Sequence, residues 1–548
     1  MILASVRKVV RHGTRFPTRH QSTGLAPRPS RLRYGQNQSD PRGWESVIGL
    51  EVHAQILALS KLFSAGSGRT LGSANSQVTL FDASIPGTLP VINRRCVEAA
   101  VQTALALQCR INPVSTFDRK HYFYADLPTG YQITQQRKAL AVQGQMDFSV
   151  LRSENVPHSY YHSVGITQLQ LEQDSGKSLH DAVAGKSLID LNRCGMGLME
   201  IVFEPQLSDG EEAAAMIHDL ILILKRLGTC SCKMEEGALR VDANISVNRP
   251  GEPLGVRTEV KNLNSIRSLA NAIEFEVSRQ IAVLESGGIV ENETRSFNFS
   301  AKQTLPMRDK EAKQDYRFLP EPNLPPLRLC DTPPGTPTDK TNPHIINIHD
   351  YRETLPEMPN VQRQRLMTET GISIESASQL VDQPNHLAFF EKAMTHKPQN
   401  PQILVNLLQL SVVEMLNILD ISLEQSHLSA GQLVELAEIK HNDELPHNII
   451  LKALKTLVEK HYPSAESLIQ EMDWRSTVRN VNLIQGLVTE ALRNEKKLVK
   501  RYFKGKDEQK VAVSLAKIVD KSYPGDLDMK LVTQVIRDSL KEMATNTQ

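Results

Sequence analysis

VIGLEVHAQI, residues 47–56, alternates apolar and polar side chains with a period of two. The apolar residues at the even positions then share one face, while Glu51, His53 and Gln55 share the other. This pattern is typical of a β-strand that is buried on one side. Because Glu51 and His53 lie two residues apart on the polar face, both side chains point toward the same region and can share a metal ion or a proton. The stretch predicts a strand that carries part of a functional site.

Three further segments alternate in the same way and cover residues 168–172, 198–204 and 239–247. Each keeps one apolar and one polar face. Strands of this kind favour an antiparallel sheet with its apolar side on a helical layer and its polar side open to ligand. The sequence therefore predicts an α+β fold in which the polar face of an antiparallel β-sheet forms a catalytic floor.

With 548 residues the chain is too long for one hydrophobic core, so several domains are expected. No run of 18 apolar residues is present, and the most apolar helix, predicted at residues 216–224, contains His218 and Asp219. This pattern predicts no membrane insertion. The six cysteines form no CxxC pair and are interpreted as reduced and structural.

Charge is concentrated at the start of the chain. Residues 1–40 contain seven arginines and one lysine against a single acid, Asp40. Such a basic, acid-poor segment with interspersed apolar residues is typical of an organelle transit peptide, and the mitochondrial matrix is the predicted compartment. The alternative is a basic arm that binds RNA. Without the segment the chain is mildly acidic, so contact with nucleic acid would need a local basic patch.

Domain limits follow from changes of pattern. Residues 41–335 mix strands with helices, including a helix that opens with Ser208 and Glu211 in capping-box spacing and ends at Gly228, and another at about 264–286. The proline-rich stretch 320–343 marks a boundary. Beyond it the pattern is helical, with a helical domain predicted at 344–427 and a small helical tail domain at 428–548.

Two polar sets carry the predicted chemistry of the first domain. Three carboxylates and one imidazole on the strand faces form an oxygen-rich set suited to magnesium or manganese, although a single glutamate on a strand is often only a salt-bridge partner. A second set of mixed charge, without a GxxxxGK[ST] loop, predicts a nucleotide held by side chains and metal; its alternative is a solvated salt-bridge face. The predicted metal and catalytic residues are Glu51, His53, Glu172 and Glu200, and the predicted nucleotide-binding residues are Lys233, Arg240, Asp242, Arg257, Lys261, Arg308 and Arg317.

A basic segment near the end of the chain, residues 493–510, surrounds two aromatic residues, Tyr502 and Phe503. Binding of RNA phosphates with some base stacking is predicted here, and an ordinary surface helix is the alternative. The residues expected to contact tRNA are Lys497, Lys500, Arg501, Lys504 and Lys506.

Read in order, the motifs resemble those of the GatB/GatE family, the B subunits of tRNA-dependent amidotransferases. The resemblance covers nearly all of the first domain and is only loose in the tail. It rests on VIGLEVHAQ (47–55), SKLFS (60–64), IPGTLPVIN (85–93), FDRKHYFYADLPTGYQIT (117–134), LEQDSGKS (171–178), LIDLNR (188–193), EIVFEP (200–205), KMEEGALRVDANIS (233–246), EVKNLNS (259–265) and MRDKEAKQDYRFLPEPNLPP (307–326).

The resemblance implies a cradle domain similar to the catalytic domain of glutamine synthetase, followed by helical domains whose tail binds tRNA. It implies that ATP and Mg²⁺ serve to phosphorylate the side chain of glutamate carried on tRNA(Gln), and that ammonia then gives Gln-tRNA(Gln). The implied partners are an amidase, the A subunit, which makes the ammonia, a small C subunit, and Glu-tRNA(Gln). Two alternatives stay open: a noncatalytic RNA-binding scaffold, and a ligase similar to glutamine synthetase that acts on a free carboxylate.

Overall fold

The computed structural model of the chain describes residues 43–69, 72–121, 123–151, 159–181, 183–307, 317–333, 345–503, 508–523 and 526–545. The predicted leader lies outside these residues, as do Arg308, Lys504 and Lys506 from the predicted binding sets. The architecture is α+β, as the alternating segments predict.

Among the described residues, nine strands form the principal sheet in the order β14-β13-β12-β11-β1-β10-β7-β6-β2. Neighbouring strands run antiparallel except β12 and β13, which are parallel. The strands are β1 (Glu45–Gln55), β2 (Arg110–Ile111), β6 (Ala141–Val150), β7 (Tyr160–Gln173), β10 (Gly197–Phe203), β11 (Leu239–Asn248), β12 (Thr258–Leu263), β13 (Thr294–Asn298) and β14 (Gln303–Pro306).

Smaller sheets lie around the principal one. Strands β15-β4-β5 form one three-stranded sheet, β17-β16-β3 form another, and β8 and β9 form a two-stranded hairpin. Strand β5 contacts β7, so the first of these sheets borders the polar face. The strands are β3 (Val114–Ser115), β4 (Asp118–His121), β5 (Tyr131–Thr134), β8 (Lys177–Asp181), β9 (Lys186–Asp190), β15 (Arg317–Pro320), β16 (Leu327–Cys330) and β17 (Ile346–Asn347).

The predicted faces of β1 are confirmed. Ile48, Leu50, Val52 and Ala54 are at most 1% exposed and belong to the first hydrophobic core. Three helices, α1 (Arg94–Ala106), α2 (Gly210–Leu227) and α3 (Ile266–Glu285), contact the sheet and bury their apolar stripes against this face. The apolar face is therefore covered by helices, and the other face is left for function.

The predicted start of α2 is wrong by one residue. Asp209, not Ser208, is the N-cap, because its carboxylate accepts a hydrogen bond from the backbone N–H of Glu212 at 2.8 Å. The Glu212 carboxylate accepts in turn from the N–H of Ser208 at 2.6 Å. Leu207 pairs with Ile48 of β1, which keeps the chain extended up to this point. The predicted end at Gly228 is confirmed by its left-handed conformation, φ 63°.

From residue 348 onward the described chain is helical, and its apolar residues form two further cores. The second core spans Leu366 to Val478, and the third core spans Ile484 to Leu540. The predicted division at residue 428 falls inside the second core, and the domain limits themselves stay predictions. The helices are α4 (Ile348–Glu353), α5 (Pro359–Thr370), α6 (Ile374–Asp382), α7 (Pro384–Met394), α8 (Pro401–Asn406), α9 (Val413–Leu419), α10 (Ala430–His441), α11 (His447–Glu459), α12 (Ala465–Glu471), α13 (Trp474–Thr477), α14 (Val481–Asn494), α15 (Lys496–Phe503), α16 (Glu508–Ser522) and α17 (Met529–Thr545).

One helical stretch corrects the prediction that residues 216–224 are the most apolar helix. Pro401–Leu419 spans 19 residues with a mean hydropathy of 1.6 and is long and apolar enough to cross a membrane by length and composition. It runs through α8, a π-helical turn at Leu407–Val412 and α9. Leu404, Leu408 and Val412 are completely buried in the second core. About a third of the stretch is buried, and a single helix of this length and composition is weak evidence for membrane insertion.

A buried ion pair joins the first helical layer to the helical region. Both terminal nitrogens of Arg363 on α5 bond to the carboxylate of Asp219 on α2, at 2.6 and 2.5 Å, and the two side chains are 1% and 4% exposed. His218 lies between Asp219 and Asp382, at 3.7 and 3.6 Å. These contacts attach α5 and α6 to the covered side of the sheet, opposite the polar face.

Candidate functional site

Strand β1 lies at the centre of the principal sheet, and its register brings the polar faces of its neighbours together. His53 lies opposite Glu200 of β10 on one side and opposite Arg240 of β11 on the other. Glu51 lies opposite Asp242. Glu172 of β7 follows one strand beyond, beside β10. The sheet therefore gathers the predicted residues at one place because three strands are adjacent in space, although they are far apart in sequence.

The side chains meet around the His53 ring. Its Nε2 lies 3.5 Å from Oε1 of Glu51, and its Nδ1 lies 3.8 Å from Oε1 of Glu172. One ligand atom each from Glu51, His53 and Glu200 lies within 4.8 Å of the others. Three of the four predicted metal residues thus form one group, and Glu172 contacts the opposite edge of the imidazole. We call these four residues the carboxylate cluster.

Two carboxylates of the cluster differ in their pKa values because their surroundings differ. The hydrogen bond to His53 is the largest cause that lowers the pKa of Glu51, to about 2. Burial, followed by the charge of Glu172, raises the pKa of Glu200 well above its ordinary value. Burial disfavours the protonated form of His53 and lowers its pKa, but Glu51, Glu172 and Asp242 outweigh this effect, and the pKa is raised. Adjacent carboxylates with divergent pKa values form a site that a cation would stabilise.

The cluster fits a hard divalent cation. Nδ1 of His53 is buried and has no hydrogen-bond partner among the described residues, so it has a ligand position to offer. The other donors are carboxylate oxygens, the ligands that Mg²⁺ and Mn²⁺ prefer. Such a cation would also offset the mutual repulsion of Glu172 and Glu200. The donor set and the unpartnered nitrogen therefore both fit the predicted metal.

Two models of known protein families match this chain. The model of the GatB/GatE catalytic domain matches residues 46–332, and the model of the GatB domain matches residues 388–540. The chain belongs to the GatB/GatE family. The first match contains the whole carboxylate cluster, and the second contains most of the helical region.

Individual members of the family are similar over most of their length. The mitochondrial B subunit of the glutamyl-tRNA(Gln) amidotransferase of Drosophila melanogaster is 46% identical over 507 residues, which cover 91% of this chain and 95% of that protein. The human mitochondrial B subunit is 49% identical over 428 residues, 78% of this chain and 77% of that protein. The B subunit of the aspartyl/glutamyl-tRNA(Asn/Gln) amidotransferase of Rickettsia canadensis is 39% identical over 497 residues, 91% of this chain and 98% of that protein.

Several neighbours of the cluster in this GatB/GatE chain were missed by the sequence analysis. Gln170 and Thr134 donate hydrogen bonds to Glu200 and Glu172, respectively. The charge of Lys120 contributes to lowering the pKa of Glu51. Gln170 stands on the same alternating face as Glu172, which was a usable signal. Thr134 and Lys120 come from β5 and β4 of a different sheet, and no local pattern indicates that this sheet lies against the cluster.

The predicted nucleotide-binding residues fall into two groups. Asp242 and Lys261 lie close enough to the cluster for their charges to interact with Glu51. Burial raises the pKa of Asp242, and Lys261 lies 3.5 Å from Glu259. Arg240, beside His53 in the register, bonds to Asp174 at 3.1 Å. These three residues extend the polar floor from the cluster toward β12.

The remaining members of that set are not brought to the cluster by any described contact. Lys233 is exposed and pairs with Glu236 at 2.7 Å. Arg257 is exposed ahead of β12, and Arg317 is exposed on β15. Arg308 lies outside the described residues. A role for these residues in nucleotide binding stays a prediction.

The predicted tRNA-binding residues that the structure describes lie on α15. Lys497, Lys500 and Arg501 are exposed, whereas Val499 on the same helix is buried in the third core. The helix is thus anchored by its apolar side and presents its cations outward. Lys504 and Lys506 lie outside the described residues. The six cysteines are free, five of them buried and Cys330 partly exposed, in agreement with their predicted reduced state.

Proposed function

We propose that this chain is the subunit of a glutamyl-tRNA(Gln) amidotransferase that activates the side-chain carboxylate of misacylated Glu-tRNA(Gln) with ATP. Its relatives are named as B subunits of glutamyl-tRNA(Gln) or aspartyl/glutamyl-tRNA(Asn/Gln) amidotransferases, and it shares nearly their whole length. The observation that carries the proposal is the carboxylate cluster, in which ligand atoms of Glu51, His53 and Glu200 lie within 4.8 Å of one another.

The proposed chemistry has two steps. An oxygen of the glutamyl carboxylate attacks the γ-phosphorus of ATP, and ADP leaves. Ammonia then attacks the acyl carbon, the C–O bond breaks, and phosphate leaves with one of the former carboxylate oxygens. The activation is needed because a free carboxylate is a poor acyl donor.

The cluster residues divide this work. Glu51, His53, Glu172 and Glu200 would hold Mg²⁺, which when bound supplies positive charge at the transferring phosphoryl group. Arg240 and Lys261 would add positive charge next to the cluster, where the phosphates of the nucleotide would lie. The attacking nitrogen carries three protons after its attack and must lose one of them to give the amide, and the carboxylates of the cluster are bases close to the reacting groups.

The partners and the compartment are part of the same proposal. We place the chain in an assembly with an amidase, the A subunit, which supplies ammonia from glutamine, and with a small C subunit. The relatives called mitochondrial favour that organelle. The basic, acid-poor composition of residues 1–40 supports their proposed role as a transit peptide, with the matrix as the proposed compartment. The exposed cations of α15 favour tRNA binding by the helical tail.

The test is ATP hydrolysis by the assembled amidotransferase, with Glu-tRNA(Gln) present or absent and with Glu51→Gln in parallel. Glu274→Gln is the matched control, because Glu274 is exposed on α3 on the covered side of the sheet. ATP turnover that needs Glu-tRNA(Gln) and disappears only in Glu51→Gln supports the proposal. Turnover on free glutamate would instead favour a glutamine synthetase-like ligase, and no turnover under any condition would favour an RNA-binding scaffold.

A further inference from the structure

Gln170 is a buried polar side chain beside the carboxylate cluster, on the same face of the sheet. It is 2% exposed and lies opposite Glu200 in the register of β7 and β10. Its Nε2 bonds to Oε2 of Glu200 and lies 3.2 Å from Oγ1 of Thr134. Its Oε1 accepts a hydrogen bond from Nε2 of Gln168 at 2.7 Å. All the polar atoms of the Gln170 amide are therefore engaged.

In the form that binds a cation, with Glu200 and Glu172 both ionised, the direction of each bond in this network is determined. The Oε2 atoms of Glu200 and Glu172 both act as acceptors, so Gln170 must turn its NH₂ group toward Glu200. Thr134 donates its single hydroxyl proton to Oε2 of Glu172, at 3.1 Å, and therefore accepts from Gln170 through its lone pair. One chain of hydrogen bonds thus runs from Gln168 through Gln170 to both carboxylates.

The chemical type of the side chain at this position matters. An amide offers two N–H donors and one acceptor, which is the set that the three neighbours need. It is also neutral, so it restrains the carboxylates without placing a positive charge where it would repel a cation. A leucine of similar size would fill the space but would leave Glu200 and Thr134 without their donor.

We propose that Gln170 is a positioning residue of the metal site, which holds Glu200 directly and Glu172 through Thr134 in the arrangement that receives the divalent cation. This inference rests on the metal site of the proposed function. Partners that orient metal ligands from behind contribute to metal affinity, and their loss typically weakens binding about 10- to 100-fold. Gln170 does not itself offer an atom to the cation.

The test measures Mn²⁺ binding to the assembled amidotransferase by electron paramagnetic resonance, without ATP or tRNA. Gln170→Leu should weaken Mn²⁺ binding about 10- to 100-fold. Its amidation rate should recover at saturating Mg²⁺, because the ligands themselves remain. Gln145→Leu, on the exposed edge of the neighbouring strand β6, is the matched control and should bind Mn²⁺ as the wild type does.

Thr134→Val keeps the test decisive if Gln170→Leu fails to fold. It removes one hydroxyl of the network with little change of shape, and it should weaken Mn²⁺ binding less than Gln170→Leu does. Glu200→Gln should abolish Mn²⁺ binding, which shows that the measured ion occupies the cluster. If Gln170→Leu, or Thr134→Val where only that variant folds, then binds Mn²⁺ as tightly as the wild type, the inference is overturned. If the wild type binds no Mn²⁺ and Glu200→Gln changes nothing, the metal site of the proposed function is overturned as well.

Discussion

The buried pair of Arg363 and Asp219 makes a quantitative prediction about stability. Two direct bonds of 2.6 and 2.5 Å join the side chains, and neither is more than 4% exposed. Arg363→Met leaves the carboxylate of Asp219 buried without its main counter-charge. Breaking such a pair typically costs about 3–5 kcal/mol. His218, 3.7 Å from Asp219, supplies partial compensation when it is protonated, so we expect about 3 kcal/mol.

Arg365 provides the control on the same helix. It pairs with Glu357, Glu369 and Glu391, yet its side chain is 32% exposed. Because solvent screens exposed ion pairs, Arg365→Met should cost no more than about 1 kcal/mol in spite of its larger number of partners. The comparison separates burial from the number of ion pairs.

The assay is equilibrium unfolding in urea, followed by tryptophan fluorescence. The chain has two tryptophans, and Trp474 is 5% exposed in the second core. In a Trp44→Phe background, the fluorescence of Trp474 therefore reports the unfolding of that core. Burial does not determine the strength of these ion pairs if Arg363→Met and Arg365→Met lower the free energy of unfolding equally, or if Arg363→Met lowers it by less than about 1 kcal/mol.

Three further predictions concern Gly195, helix α15 and the carboxylate cluster. A Cβ at Gly195 would lie 2.7 Å from Oδ1 of Asp82, whereas a Cβ at Gly185 would meet nothing within 4 Å. Gly195→Ala should therefore lower the free energy of unfolding by about 1–3 kcal/mol more than Gly185→Ala does. Thermal unfolding measures both variants, and equal losses would contradict this prediction. Lys497→Ala should weaken tRNA binding and reduce by about one the slope of the logarithm of the binding constant against the logarithm of the salt concentration. An unchanged slope would show that Lys497 contacts no phosphate of the tRNA. The raised pKa of Glu200 means that metal binding must displace its proton, so Mn²⁺ affinity should rise with pH and calorimetry should detect proton release; a pH-independent affinity would contradict this assignment.

The alternation in the sequence predicts which side chain of each strand faces the cluster, because the period of a strand is two. It does not predict which strands are neighbours. Glu51 and Glu200 meet because β1 pairs with β10, and only the assembled sheet shows that order. The polar strand faces suggested Glu51, His53, Glu172 and Glu200 as one metal-binding set, and only the assembled sheet shows that they meet.

Other features could not be predicted because they depend on tertiary contacts. Lys120 and Thr134 belong to a second sheet whose position follows from packing. The N-cap of α2 moves from Ser208 to Asp209, because both residues are good caps and the pairing of Leu207 with β1 determines where the helix begins. The partner of Arg363 lies 144 residues away. Local patterns contain no information about contacts of that range.

We propose that the carboxylate cluster activates the glutamyl carboxylate as an acyl phosphate. The most direct measurement charges tRNA(Gln) with glutamate labelled with ¹⁸O in its side-chain carboxylate and analyses the phosphate released by the assembled enzyme. This mechanism predicts one ¹⁸O atom per phosphate for each Gln-tRNA(Gln) formed, and loss of both products in Glu51→Gln and Glu200→Gln. Unlabelled phosphate alongside normal Gln-tRNA(Gln) formation, or labelled phosphate that persists in both variants, would contradict it.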